Sequence, residues 1–207
     1  MKNAANEIKK GRKFEQVLNG ARQVFMADGF EGASVDTIAK VAGVSKATLY
    51  SYFPDKRMLF TEVARTECQR QADMAVSNID TSAPPGTVLR EAGQHMLGFV
   101  LSEFGQRVYR ICVGEADRFP ELAREFYDSG PRVAKEVLST YLELAKQRGE
   151  LDIDDVDLAA CQFAELCKSD IFNKRVFGVQ DSFTKDEIAR IIDGAVEMFL
   201  ARYGVEG

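Results

Sequence analysis

Residues 34–53 read Ser34-Val35-Asp36-Thr37-Ile38-Ala39-Lys40-Val41-Ala42-Gly43-Val44-Ser45-Lys46-Ala47-Thr48-Leu49-Tyr50-Ser51-Tyr52-Phe53. Ser34 can accept a hydrogen bond from a first-turn amide and so cap a short helix. Val35, Ile38, Ala39 and Ala42 recur at helical spacing and predict its inward face. Gly43 follows, and its missing Cβ permits a tight turn. Ser45 then caps a second short helix that contains Leu49. Two helices joined by a three- or four-residue turn containing glycine make a helix-turn-helix. Small Ala39 lets the pair approach, and Val44 and Leu49 fill the wedge between them.

The flanks are helical as well. Phe14, Val17, Leu18, Ala21 and Phe25 follow the spacing of a buried helix face. That helix is expected to stop at Asp28-Gly29, where the glycine can turn left-handed. Pro54 fits the first position of a long helix to about Asn78, with Phe60, Val63, Ala64, Cys68 and Met74 inward. Ser82-Ala83-Pro84-Pro85-Gly86 breaks the chain after it. Further helices are expected over about 87–103, 106–116, 118–147, 155–178 and 184–203, with a kink or split at Pro131. Neither a strand pattern nor an internal repeat emerges. The fold class is all-α, with a three-helix domain over 1–53 and a larger helical domain over 54–207.

The chain has 207 residues, 45% hydrophobic and 29% charged, ordinary values for one or two globular domains. No apolar run is long enough to predict a membrane span. The polar, basic start predicts no secretory leader, so a cytoplasmic location is expected. A net charge of −5 taken whole argues against a polyanionic partner. Residues 1–60, however, carry ten Lys/Arg against six Asp/Glu, or +4, and residues 61–207 carry seventeen against twenty-six, or −9. Such asymmetry suits one module that faces a polyanion and another that does not. Lys9, Lys10, Arg12 and Lys13 form a basic run that could serve as an arm on neighbouring phosphate.

Catalytic and metal chemistry find little here. The single histidine, His95, rules out two-histidine zinc motifs, and no phosphate-binding glycine loop occurs. Cys68, Cys112, Cys161 and Cys167 form no Cys-x-x-Cys pair and read as reduced, buried thiols. Asp152, Asp154, Asp155 and Asp157 precede a helix, where carboxylates cap amides, and the glycine and glutamate of a calcium loop are absent. The chain is therefore read as no enzyme, with no metal and no cofactor.

The two short helices carry a different chemistry. Lys46 and Lys56 fall in first turns of helices, where the macrodipole disfavours a cation by roughly 0.3–1 kcal/mol. A phosphate placed there reverses the sign, because it pairs with the lysine and the free amides together. Tyr50 and Tyr52 offer hydroxyls to phosphate or base edges. Ala47 and Thr48 are small enough to meet a base edge, including a thymine methyl.

The run Ile38-Ala39-x-x-Ala42-Gly43-Val44-Ser45-x-x-Thr48-Leu49-Tyr50-x-Tyr52-Phe53-x-x-Lys56-x-x-Leu59 resembles the DNA-binding signature of the TetR family of transcriptional regulators. Where many members have histidine this chain has Tyr52, whose hydroxyl can still reach a phosphate. The resemblance implies that the helix from Lys46 to Tyr52 enters the major groove of double-stranded DNA. Lys46, Ala47 and Thr48 would then read bases, while Ser34, Ser45, Tyr50, Tyr52 and Lys56 anchor the backbone. A near-palindromic operator and a repressor's role are the corresponding expectations. The stretch Arg118-Phe119-Pro120-Glu121-Leu122-Ala123 resembles the regulatory domain of one branch of the family.

The large domain is expected to bind a small hydrophobic or aromatic effector. Candidate lining residues are Phe99, Tyr109, Cys112, Phe126, Tyr127, Tyr141, Phe163 and Cys167, with His95 as a polar anchor. Leu158, Ala160, Cys161, Phe163, Ala164, Leu166 and Cys167 make one late helix apolar on nearly all faces. Ile188, Ile191, Ile192, Ala195, Val196, Met198, Phe199 and Leu200 do the same for the last. Helices apolar all round must be covered all round, which predicts a homodimer through these two. Two other readings stand beside this one: a regulator or architectural protein with no effector, and an enzyme in the helical domain.

Overall fold

A computed structural model describes residues 11–205, without the side chains of residues 75 and 76. Eleven helices follow one another among the described residues: α1 (Arg12–Gly32), α2 (Val35–Ala42), α3 (Lys46–Tyr52), α4 (Lys56–Asn78), α5 (Pro85–Leu101), α6 (Glu103–Gly114), α7 (Pro120–Ser129), α8 (Pro131–Gln147), α9 (Val156–Cys167), α10 (Ile171–Val176) and α11 (Lys185–Tyr203). No strand forms among them, and one isolated bridge joins Leu151 to Gly204. None of these helices is long and apolar enough to cross a membrane.

The described residues fall into two compact units, 11–67 with 111–126, and 68–110 with 127–205. This division differs from one drawn at Phe53, because the start of α4 and the segment after Arg110 belong with the N-terminal helices.

In the first unit, α1 buries Phe14, Val17, Leu18, Ala21 and Phe25. Gly29 interrupts the helix with φ of 70°, and the chain makes one more helical turn to Gly32. Phe25, Phe30 and Phe60 form an aromatic core, with centroids 5.1–6.1 Å apart. Residues 111–126 bring Phe119 against Phe30 at 6.5 Å. The Arg57 and Arg118 guanidiniums lie 4.9 and 4.8 Å from the Phe119 ring. Arg118 also pairs with Glu31 at 2.8 Å.

In the second unit, α5, α8, α9 and α11 enclose a core that includes Leu89, Leu97, Leu142, Phe163, Ile192 and Phe199. Gly93 lets α5 approach closely: a Cβ there would stand 3.1 Å from Cys167 Sγ and 3.3 Å from Ile192 Cγ2. Asp155 caps α9 through the Leu158 amide, and Thr184 with Glu187 forms a reciprocal capping box on α11.

Several expectations need correction. Met74 is 40% exposed rather than inward. The span 118–147, in contrast, behaves as Pro131 predicts and splits at Gly130–Pro131 into α7 and α8. The span 155–178 also splits, where Asp170 takes φ of 59° between α9 and α10. Cys161 is exposed, while Cys68, Cys112 and Cys167 are buried, and all four are free thiols.

Candidate nucleic-acid interface and regulatory unit

The helix-turn-helix is built from local chemistry. Ser34 Oγ accepts from the Thr37 amide at 3.0 Å, and Ser45 Oγ accepts from the Thr48 amide at 3.1 Å. Between the two helices Gly43 adopts φ of 66°, and its amide closes α2 onto Ala39 and Lys40. Ile38, Ala39, Ala42 and Leu49 are buried beneath. The polar side of α3 is left facing solvent: Lys46, Ala47 and Tyr50 are exposed and Thr48 is half-buried. Tyr52 is half-buried because its ring packs edge-on against Phe14 at 5.6 Å.

The cations of this surface are already engaged. Lys46 Nζ lies 2.6 Å from Asp36 Oδ1. Lys56 Nζ donates to the carbonyls of Phe30 at 2.6 Å and Glu31 at 3.4 Å, and sits 4.6 Å from the Phe30 ring. It thus closes the end of α1, leaving one N–H for any phosphate. Asp55 is the residue that starts α4, accepting from the Met58 amide at 2.9 Å and from Arg57 at 3.0 Å. Burial pushes its carboxyl pKa up, but the Met58 amide and the Arg57 guanidinium together hold it below the usual range. Asp36 and Asp55 were not anticipated as partners; an acid within one helical turn of a helix start was the available signal for both. Of the basic N-terminal run, Arg12 and Lys13 are exposed, and Lys9 and Lys10 lie outside the described residues.

The nine expected effector residues are divided between the two units. Cys112 and Phe126 belong to the first unit and the other seven to the second. Within the second, Tyr141, Phe163 and Cys167 are packed in the core, and burial pushes the Cys167 thiol up to about 12. Tyr127 is 57% exposed. His95, Phe99 and Tyr109 are half-buried on α5 and α6. Phe99 lies 6.4 Å from Phe104, and Tyr109 meets Phe172 edge-on at 5.1 Å. Among the described residues, buried Gln106 Oε1 has no hydrogen-bond partner and buried Tyr141 Oη has only the Arg148 guanidinium beside it. Gln106 gave no sequence signal, since a lone glutamine in a helix is unremarkable.

Two open cavities are present in the second unit, and none of the nine residues lines either. One, of about 890 Å³, runs between α8 and the approach to α9, along Ser139, Glu143, Asp154 and Asp157. Its acids serve local structure: Lys135 and then Ser139 hold the Asp157 carboxyl below the usual range. The other, of about 640 Å³, is a groove between α9 and α11 along Leu158, Cys161, Leu166 and Met198, with Glu165 and Arg202 also lining it. Leu158 is 51% and Met198 63% exposed there, so this apolar face has no cover among the described residues.

Comparison with known proteins bears on both units. The family described as bacterial regulatory proteins, tetR family, matches residues 17–63. The AefR-like transcriptional repressor C-terminal domain matches residues 87–205. The chain is 34% identical to the flavonoid-responsive regulator FrrA, with a TM-score of 0.76 over 95% of this chain and 100% of that one. A TetR-family regulator from Mesorhizobium loti is 28% identical, with a TM-score of 0.83 over 96% of this chain and 100% of the other. The transcriptional repressor AcnR of Corynebacterium diphtheriae is 34% identical over 64 residues, which are 31% of this chain and 34% of AcnR. That last match spans only about a third of the curated relative's length.

Proposed function

The chain belongs to the TetR family of transcriptional regulators, and we propose that it is a cytoplasmic, homodimeric repressor released from a near-palindromic operator by a small aromatic or hydrophobic effector. One observation carries the DNA-binding half. Two serine-capped helices, joined through left-handed Gly43, bury Leu49 and leave Lys46, Ala47 and Tyr50 facing solvent. In this reading α3 enters the major groove, where Lys46, Ala47 and Thr48 meet base edges. Ser34, Ser45, Tyr50 and Tyr52 hold the backbone, and Lys56 contributes its remaining N–H.

The uncovered face of α9 and α11 supports dimerisation, with each copy burying the other's Leu158 and Met198. For the effector, the half-buried His95, Phe99 and Tyr109 are the favoured contacts, and buried Gln106 and Tyr141 are candidate polar anchors. FrrA is described as flavonoid-responsive, which agrees with an aromatic ligand. The effector must bind the DNA-incompetent conformer better, or it shifts nothing. The alternative reading is a regulator without effector.

Selection of duplexes from a randomised library tests the first half. The expected product is a near-palindrome with half-sites about one helical turn apart, and enrichment of no sequence overturns it. Thermal shift against a flavonoid panel tests the second. A ligand should raise the melting temperature and weaken operator binding. A selected operator indifferent to every compound would leave the effector-free reading in place.

A further inference from the structure

Lys46 is the sole cation of α3, and Asp36 is the sole acid of α2 and α3 together. Their 2.6 Å contact is exposed on both sides, with 58% of the lysine and 66% of the aspartate side chain open to solvent. The carboxylate is not needed to cap α2, because Ser34 already accepts from the Thr37 amide. Nor does it fill space in the core. Its evident consequence is to hold the lysine that stands at the start of the reading helix.

We infer that Asp36 is a specificity-determining residue, which keeps Lys46 paired on random DNA and releases it only where the operator offers a better acceptor. The inference rests on the DNA-binding reading above. Sequence-independent affinity grows with each cation that neutralises a phosphate, and the salt dependence steepens by about 0.9 per contact. A lysine bound to its own carboxylate is subtracted from that sum. Exchanging Asp36 for a phosphate trades one anion for another and leaves a bare carboxylate beside the DNA backbone. Exchanging it for guanine O6 and N7 instead gains directed hydrogen bonds to one base, so the trade favours the cognate site.

The test compares wild type, Asp36→Asn, Lys46→Gln and the double variant, as full chains, on a random-sequence duplex and on the operator selected by the wild type. KCl is titrated in each case, and circular dichroism melting checks that these surface variants are folded. Asp36→Asn should bind the random duplex about two- to twentyfold tighter per dimer, since each subunit releases one exposed pair. Its salt slope should steepen by about 1 to 2. Operator affinity should rise less, so discrimination falls. In the Lys46→Gln background the aspartate substitution should leave the slope unchanged. Equal gains on both duplexes, or the same steepening without Lys46, would assign the effect to net charge and overturn the inference. A wild-type chain that binds neither duplex overturns the DNA-binding reading itself, and this one with it.

Discussion

Gly20 of α1 faces Ala42 of α2 so closely that a Cβ on Gly20 would stand 2.8 Å from the Ala42 backbone nitrogen and Cα. No ordinary Cβ contact is that short, so the two helices meet backbone to backbone. Gly20→Ala must push α2 away from α1 and should cost about 1–3 kcal/mol in denaturant melts, as overpacking does. Because α3 is hung from α2, DNA affinity should fall with it. A variant as stable as wild type would show that the two helices can separate freely.

Phe119 and Arg118 make neighbouring contacts of different worth. Phe119 packs on Phe30 between two guanidiniums, whereas the Arg118–Glu31 pair is largely exposed. Phe119→Ala should cost about 1–3 kcal/mol, less than a fully buried phenylalanine. Arg118→Gln should stay within about 1 kcal/mol because solvent screens the pair. Equal losses in urea melts would mean that the ion pair, not the ring, holds residues 111–126 in place.

Asp55 gives the first unit a pH dependence. Its folded pKa is lowered, so its contribution is full above the unfolded carboxyl value near 3.9. That contribution is lost as pH falls through the lowered folded value. Asp55→Asn should therefore be less stable than wild type at neutral pH, by about 1 kcal/mol or less, since the group is partly exposed. The gap should close in acid. Melting curves that stay parallel from pH 7 to 2 would contradict this.

Thiol labelling reports on the α9–α11 face. Cys167, pushed up to about 12 by burial, should stay unreactive at pH 8 alongside Cys68 and Cys112. Cys161 is exposed in the single chain, and it should label quickly in dilute protein. Dimerisation through this face, as proposed, should slow labelling as the protein concentration rises. Labelling at one rate across that range would place the subunit contact elsewhere.

The Tyr141 hydroxyl is buried and poorly satisfied, with only the Arg148 guanidinium beside it, and burial pushes its pKa up. Tyr141→Phe keeps the ring and removes that hydroxyl, so its melting temperature should equal or exceed that of wild type. Any flavonoid that stabilises the wild type should stabilise the variant less. A clear loss of stability without ligand would mean that the hydroxyl is hydrogen-bonded within the fold.

What the sequence revealed best was local. Ser34, Ser45, Gly29 and Gly43 act within four residues of themselves, so their cap and turn chemistry is written in the adjacent letters. Lys56 shows where that stops: the helix-dipole argument noticed a cation at a helix start, but its partners are carbonyls 26 and 25 residues away. The break at Asp170 was hidden because apolar spacing continues through Ile171 and Phe172, and one left-handed residue leaves no periodic trace. Cys161 was read as buried because an all-apolar helix does not say which face meets the core and which is left open. Pattern likewise does not separate a cavity wall from solid core: Tyr141 and Phe163, read as effector contacts, lie in the core of the second unit.

The placement of residues 111–126 with the N-terminal helices sets a rule for hybrid proteins. A graft that joins the first 53 residues of this chain to another regulator's body would leave Phe119 and Arg118 behind, and strip Phe30 of its cover. The transplanted reader would keep α1–α3 but lose Lys56, which closes the end of α1, and should melt early. A successful exchange must carry two separate stretches of sequence, or rebuild the second at its destination. The N-terminal helices can be moved only together with a stretch drawn from beyond α5.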